Sequence, residues 1–510
     1  MFPSFSETER IVMPDNAAAL GLTQHEADLW RTMDTDISEW WDWFRGEKLK
    51  QYNRTKPGKD GQFPLLYPLQ INPIRLACQL HAYALQGQVK DTSDPLVHSV
   101  CETKGSTSKD VAQQATDAIE KIAYENHARA MFSDMFLSIQ AKGAMVLKVG
   151  WNKDAGPEAT GVRWEYIDPR YAFFRWQGTD YWSLTEAWIR LNISKATAKM
   201  YGVTVEDNTV TYVEHWTPTQ YSIKVADKYA FGKNKSDDNP YGFVPFVYIP
   251  HERSGDFWGV SLVPGAIGVT REINARAADM GDAVQKGVHR RLVGWNFMPG
   301  HPVDKDFGNG EKYTYLGKTV SGSDPQPNLQ EIKPMEMPTS YNQFLATLSE
   351  LVRTSMQTPD VAYGEPEASQ RSGASMNHRM WPLLSHTITE RTNWTTGINQ
   401  LCDFSMRIMA AHQKDDITKA HIGKIWRQDW APMVPLDRAA LVTELIQRWE
   451  NNVISLELLM EKFGDVPDLK EEVARVQKLQ ADAAKQEMQQ GEQKKNLMRN
   501  APTEKIEEGD

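Results

Sequence analysis

Apolar positions along this chain change their period several times, and each change marks an element. After Thr23, a residue suited to capping, Ala27, Trp30, Ile37, Trp40, Trp41 and Phe44 recur at helical spacing. A polar, basic loop from Lys48 to Gly61 follows, then a short helix over Ile71–Gln86. A longer helical pattern covers Asp110–Ala141, with Val111, Ala115, Ile119, Ile122 and Ala130 on one side. From Ala144 the pattern shifts to strands. Met145–Val149, Val162–Ile167, Thr209–Val213 and Phe243–Ile249 are rich in β-branched and aromatic residues between Gly, Pro and Asp turns. Residues 1–253 therefore read as one α+β domain.

Helical period returns at Ser261 or Pro264, proline being tolerated in a first turn. Ala266, Val269, Ile273, Ala277, Met280, Val284 and Val288 form a narrow apolar stripe. The opposite face carries Arg271, Arg276 and Lys286 against Glu272, Asp279 and Asp282, three charges of each sign. Period is lost over 289–337, where glycines and prolines punctuate short strands such as Lys312–Leu316. It resumes over about Thr339–Met356 with Tyr341, Phe344, Leu345, Leu348, Leu351 and Val352, and Thr358-Pro359 ends that helix. Two helices thus bracket a small module, the outline of a stalk with a head. An acidic loop, Asp360–Arg371, leads to a helical pattern from Ser372 to about Gln413, roughly 60 Å long at 1.5 Å per residue. Pro382 lies inside it and is expected to kink it. Ala420–Pro435 reads as a strand pair or extended return. Leu436–Leu479 reads as helix–turn–helix, and the Gln-, Glu- and Lys-rich residues 481–510 have no apolar face.

At 510 residues more than one domain is expected. The 17 tryptophans are many, and the group at Trp30, Trp40, Trp41 and Trp43 fits core filling better than an exposed interface. A net charge of −10 argues against a protein that clamps nucleic acid by its backbone, though not against a surface past which DNA slides. Cys78, Cys101 and Cys402 are dispersed, which disfavours a zinc knuckle or disulfide framework and fits a reducing compartment. No apolar run reaches the ~18–20 residues that span a bilayer, so no membrane partner is expected.

Gly259-Val-Ser261, followed by a helix carrying Arg271-Glu-Ile-Asn274, resembles the portal proteins of tailed bacteriophages. The run from Asn452 to Leu459, with Gly464–Asp468, Glu471 and Glu472 after it, resembles the approach to that family's crown, and the order of elements agrees over about 60–480. The resemblance implies a wing (1–253), a first stem helix (254–288), a clip (289–337) and a second stem helix (338–358). A tunnel loop (359–372), a long kinked helix returning to the wing (373–436), a helical crown (437–480) and a flexible tail (481–510) would follow. Tyr363, Gly364, Glu365, Glu367 and Arg371 would belong to the tunnel loop. Arg271, Glu272, Asn274, Arg276, Ala277, Asp279, Asp282 and Lys286 would form the stem, with the charged ones facing the channel or a neighbouring stem. Trp295, Tyr313 and Tyr315 would lie in the clip. The implied protein is a homo-oligomer of twelve subunits in the virion, at one capsid vertex and assembled in the host cytoplasm. Its partners would be tail adaptor proteins, the terminase large subunit, and major capsid and scaffolding proteins. Double-stranded DNA would pass through without sequence recognition, and no catalytic residue, cofactor or metal is expected.

Enzymatic readings find less support. Gly317-Lys318-Thr319 resembles the end of a phosphate-binding loop, but Lys312 stands where its first glycine belongs and a turn, not a helix, follows. His251-Glu252-Arg253 reads as a turn with a local ion pair rather than an acid–base pair. Asp465, Asp468, Glu471 and Glu472 read as acids at a helix start rather than a metal cluster. His378 and His386, eight positions apart, make no ligand pair, and the methionines Met376, Met380, Met406 and Met409 read as adaptable core. The alternatives are a metal-dependent nucleic-acid-processing enzyme and a non-viral helical scaffold protein.

Overall fold

Thr23 opens the first helix by a reciprocal cap. In the computed structural model its hydroxyl accepts from the Glu26 N–H at 3.3 Å, and the Glu26 carboxylate accepts from the Thr23 N–H at 2.7 Å. The structure describes residues 20–52, 70–88, 95–104, 107–156, 158–233, 235–253, 258–288, 291–295, 313–316, 328–332, 339–364, 373–413, 419–433, 438–451, 453–463 and 472–479, with isolated positions beyond. The helices are α1 (Gln24–Arg45), α2 (Pro73–Gln86), α3 (Lys109–Glu125), α4 (Ala128–Lys142), α5 (Lys195–Met200), α6 (Pro264–Val288), α7 (Thr339–Ser355), α8 (Gly373–Gln413), α9 (Arg438–Glu450) and α10 (Leu456–Phe463). Strands β1 (Val97–Cys101), β2 (Ala144–Trp151), β3 (Val162–Ile167), β4 (Ala172–Gln177), β5 (Asp180–Ser194), β6 (Thr209–Trp216) and β7 (Gln220–Val225) precede the shorter β8 (Lys228–Tyr229) and β9 (Asp237–Asp238). Then come β10 (Phe246–Pro250), β11 (Arg291–Trp295), β12 (Tyr313–Leu316), β13 (Asn328–Ile332) and β14 (Trp426–Trp430). The chain is a mixture of helix and sheet, an α+β protein.

Most strands join two antiparallel sheets. One has the order β4-β5-β6-β7-β8, with β9 also on β7, and the other has β10-β2-β3. Between them Lys148 of β2 reaches Glu214 of β6, a buried ion pair that also receives the Tyr212 hydroxyl at 2.9 Å. Helix α8 runs through the main core. Its Trp394, Ile398, Leu401, Met406 and Ile408 pack among residues of α3, α4, β2 and β10. Gly397 permits the closest approach, since a Cβ there would lie 2.5 Å from Ile249 Cγ1. Trp30 and Trp43 are fully buried, in agreement with a core role, while Trp40 and Trp41 are half-buried.

One helix boundary needs correction. The single helix over Asp110–Ala141 is two helices. His127 adopts φ 51, and the Asn126 amide is engaged by β3, donating to Val162 O at 2.9 Å and accepting from Trp164 N at 2.9 Å. Of the two readings of the return after α8, a strand pair or an extended return, the structure has the second, with one strand. β14 pairs antiparallel with β1, a five-residue strand too short for its pattern to stand out. The bracketed module shows β11 between parallel β12 and antiparallel β13. Helix α8 is continuous through Pro382.

The chain divides into two compact units, Met1–Val434 and Pro435–Asp510. In the second, α9 and α10 bury Leu445 and Leu459. Of the acids considered there, Glu472 begins a helical run and pairs with Arg475 at 3.5 Å. Asp465, Asp468 and Glu471 lie outside the described residues, as do Gly317, Lys318 and Thr319. Among the described residues no helix is long and apolar enough to cross a membrane.

Candidate functional site

The Gly259-Val-Ser261 turn has a physical explanation. A Cβ on Gly259 would lie 2.0 Å from the carbonyl oxygen of Gly143, so only glycine lets these backbones cross. The Ser261 hydroxyl donates to Gln140 O at 2.9 Å and accepts from Val263 N at 3.0 Å. Leu262 N also donates to Gln140 O, at 3.1 Å. The start of α6 is thereby fastened to the end of α4.

From that anchor α6 packs against α7. Ala266, Ile273, Leu348, Val352 and Met356 share a buried cluster with Trp43 and Phe44 of α1 and Ile74 and Ala77 of α2. Ala277 is 5% exposed within the single chain, so its stripe faces this chain's own elements. The Tyr341 hydroxyl of α7 donates to Arg276 O at 2.6 Å. Asn274 is fully buried. Its side chain accepts from Ile71 N at 2.9 Å and donates to Ile71 O at 2.8 Å, reading one residue's backbone from both sides. The stripe does not stay buried to the end of the helix, since Val284 is exposed.

The other face of α6 is wet and neutralised locally. Arg271 and Asp279 are exposed, and Glu272 and Arg276 half-exposed. Arg276 bonds Glu272 and Asp279, each at 2.7 Å, and Arg271 lies over the Trp43 ring at 5.7 Å. Asp282 and Lys286 belong to the same helix by backbone. In the bracketed module Tyr313 pairs with Leu292, Tyr315 with Gly294, and Trp295 with Leu316 and Asn328. Beyond α7, Asp360–Tyr363 makes a tight turn ended by Gly364 at φ 73. Tyr363 is tucked back: its hydroxyl is 2.9 Å from Thr358 Oγ1, and Arg353 stacks on its ring at 4.9 Å. Glu365, Glu367 and Arg371 lie outside the described residues.

Large apolar side chains remain uncovered beside this helix pair. Phe344 and Leu351 on α7 are 44% and 47% exposed, and Trp381 and Ile388 on α8 are 60% and 47% exposed. Within each pair the residues are seven positions apart, and so share one helix face.

Sequence reasoning passed over a buried polar cluster. His251, expected in a turn with a local ion pair, is 1% exposed. Its Nδ1 lies 2.8 Å from Val260 O, and its Nε2 lies 3.0 Å from Gln140 Oε1 and 3.2 Å from His386 Nε2. Gln140 Nε2 donates to Glu390 Oε1 at 2.6 Å. Burial lowers the imidazoles of His251 and His81 to about 3, and it raises the Glu390 carboxyl to about 8. The Trp394 indole leans toward Glu390, yet neither its Nε1 nor Glu390 Oε2 closes a hydrogen bond. The signal along the chain is the i, i+4 spacing of His386 and Glu390, and His251 and Gln140 join it only in the fold.

A family model described as phage portal protein, SPP1 Gp6-like, matches residues 99–486, about three quarters of the sequence. The chain belongs to this portal family. The match covers the Gly-x-Ser turn, both bracketing helices and α8. It establishes a portal protein, of a family that is structural rather than enzymatic. No curated protein matches the portal protein significantly.

Proposed function

We propose that this portal protein is one subunit of a homo-oligomeric ring, twelvefold in the virion, at one vertex of the capsid. The genome enters and leaves through the central channel. In this reading 1–253 is the wing, with α6 and α7 as stem helices around the clip at 289–337, and 359–372 is the tunnel loop. The long helix and its return occupy 373–436, the crown 437–480, and the tail 481–510. The clip, with Trp295, Tyr313 and Tyr315, docks the terminase large subunit during packaging and tail adaptor proteins afterwards. Capsid and scaffolding proteins surround the ring.

The observation that carries the reading is the pair of uncovered apolar faces on α7 and α8, Phe344 with Leu351 and Trp381 with Ile388. A second copy of the chain is their fitting occupant, since a ring supplies a like surface to every subunit and leaves no open edge. The neighbouring face of α6 supports the channel. Arg276 is engaged by Glu272 and Asp279, so it offers passing phosphates little net attraction. Replacing Trp381 and Phe344 together with glutamate is expected to abolish ring assembly while the subunit still melts cooperatively. Light-scattering mass of the purified variant is the test. Ring-sized mass in the double variant would remove these faces from the interface.

A further inference from the structure

We infer that His251, His386 and Glu390 form a buried site for a zinc-class divalent ion that ties α8 to α4 and β10. The ligand atoms of these three residues all lie within 4.8 Å of one another. They come from separate parts of the chain. His251 follows β10, and His386 and Glu390 occupy successive turns of α8, so both project from one side of that helix. Gln140, at the end of α4, faces the same point.

Hydrogen bonding makes the cluster look built to receive a cation. Val260 O can only accept, so the proton of a neutral His251 sits on Nδ1 and the Nε2 lone pair points inward. A backbone carbonyl holding the far ring nitrogen is the usual support of a metal-bound imidazole. Facing that lone pair at 3.0 Å is Gln140 Oε1, another acceptor, oriented by the bond from Gln140 Nε2 to Glu390. Glu390 Oε2 is buried and closes no hydrogen bond, with the Trp394 indole N–H the donor nearest to doing so. The adjacent Arg391 acts on this carboxylate through charge but gives it no hydrogen bond. Arg391 is turned to the carbonyls of Leu85 and Ala84 and to the Trp430 ring. Three acceptors thus converge on one point, and the two donors nearby, His386 Nε2–H and the Trp394 indole N–H that leans toward Glu390, cannot serve all three.

The spacing also suits the ion. Zn–N bonds of about 2.0–2.1 Å in a tetrahedron place neighbouring ligand atoms roughly 3.3 Å apart. His251 Nε2 and His386 Nε2 are 3.2 Å apart. Two imidazoles and one carboxylate select a borderline ion over magnesium or calcium, which prefer all-oxygen sets. With every group but His386 fully buried, the role is structural: the ion holds the α8 segment just after Pro382 against the body of the subunit.

The competing arrangement is a network of protons alone, with the Gln140 amide reversed to donate to His251 and a protonated Glu390 donating to it. The test uses the full-length protein, loaded with zinc sulfate, desalted and analysed for metal by mass spectrometry. About one zinc per chain is expected. It should be kept by His98→Ala, which removes an exposed histidine of β1, and lost by His386→Ala. Wild-type protein loaded with cobalt(II) instead should show the intense visible bands of a tetrahedral nitrogen- and oxygen-bound ion, a readout independent of any variant's folding. Zinc in the wild type no higher than in His386→Ala, or a cobalt spectrum like that of the hydrated ion, would overturn the site and leave the proton network.

Discussion

Asn274 and Glu26 show how single side chains position the helices. Asn274 satisfies both backbone groups of Ile71 from inside α6. Asn274→Ala is expected to lower stability by roughly 1–3 kcal/mol, the cost of leaving these groups poorly paired, measured by chemical denaturation. An unchanged midpoint would mean that water replaces the amide. Glu26 is held at about 2, below its ordinary 4.5, chiefly by hydrogen bonds from Arg175, with burial opposing and Thr23 assisting. The folded state binds its proton less readily than the unfolded chain. This support is therefore complete above about pH 4.5 and is lost as pH falls through about 2. Glu26→Gln should flatten that acid limb of the melting temperature and change little at its foot. An identical acid limb in the variant would show that the Arg175 contact is not coupled to folding. The resemblance singled out Asn274, but its partner was not legible, because Ile71 lies some two hundred positions away in the chain.

Elements were legible where local chemistry determines them. Thr23 with Glu26 announces α1, and the apolar spacing of Ala266, Ile273 and Ala277 announces α6. The break between α3 and α4 was hidden, because the left-handed His127 and the grip of β3 on Asn126 are tertiary effects that no helical period encodes. The pairing of β1 with β14 was hidden for the same reason, since each strand completes the other across three hundred residues. The buried histidine cluster is likewise assembled from α4, β10 and α8, so only the i, i+4 half of it could be read along the chain. At this scale Ala277→Asp is informative. Ala277 is buried within the single chain, so a carboxylate there should destabilise the α6–α7 packing itself, by roughly 2–4 kcal/mol. Melting temperature and ring yield are expected to fall together. A fall in ring yield with an unchanged melting temperature would instead put the stripe against a neighbouring subunit.

For the whole molecule, the family match from 99 to 486 and the uncovered faces of α7 and α8 lead to the same account, a subunit completed by copies of itself. The net charge of −10 argues against a tight grip on a nucleic-acid backbone, as the proposed channel requires. The most direct measurement is electron cryo-microscopy of the full-length protein, with class averages viewed down the particle axis. The account predicts a closed ring of about a dozen subunits around an open channel, with α6 and α7 along its wall. Monomers or dimers at every salt concentration, or a closed particle without a central opening, would contradict it.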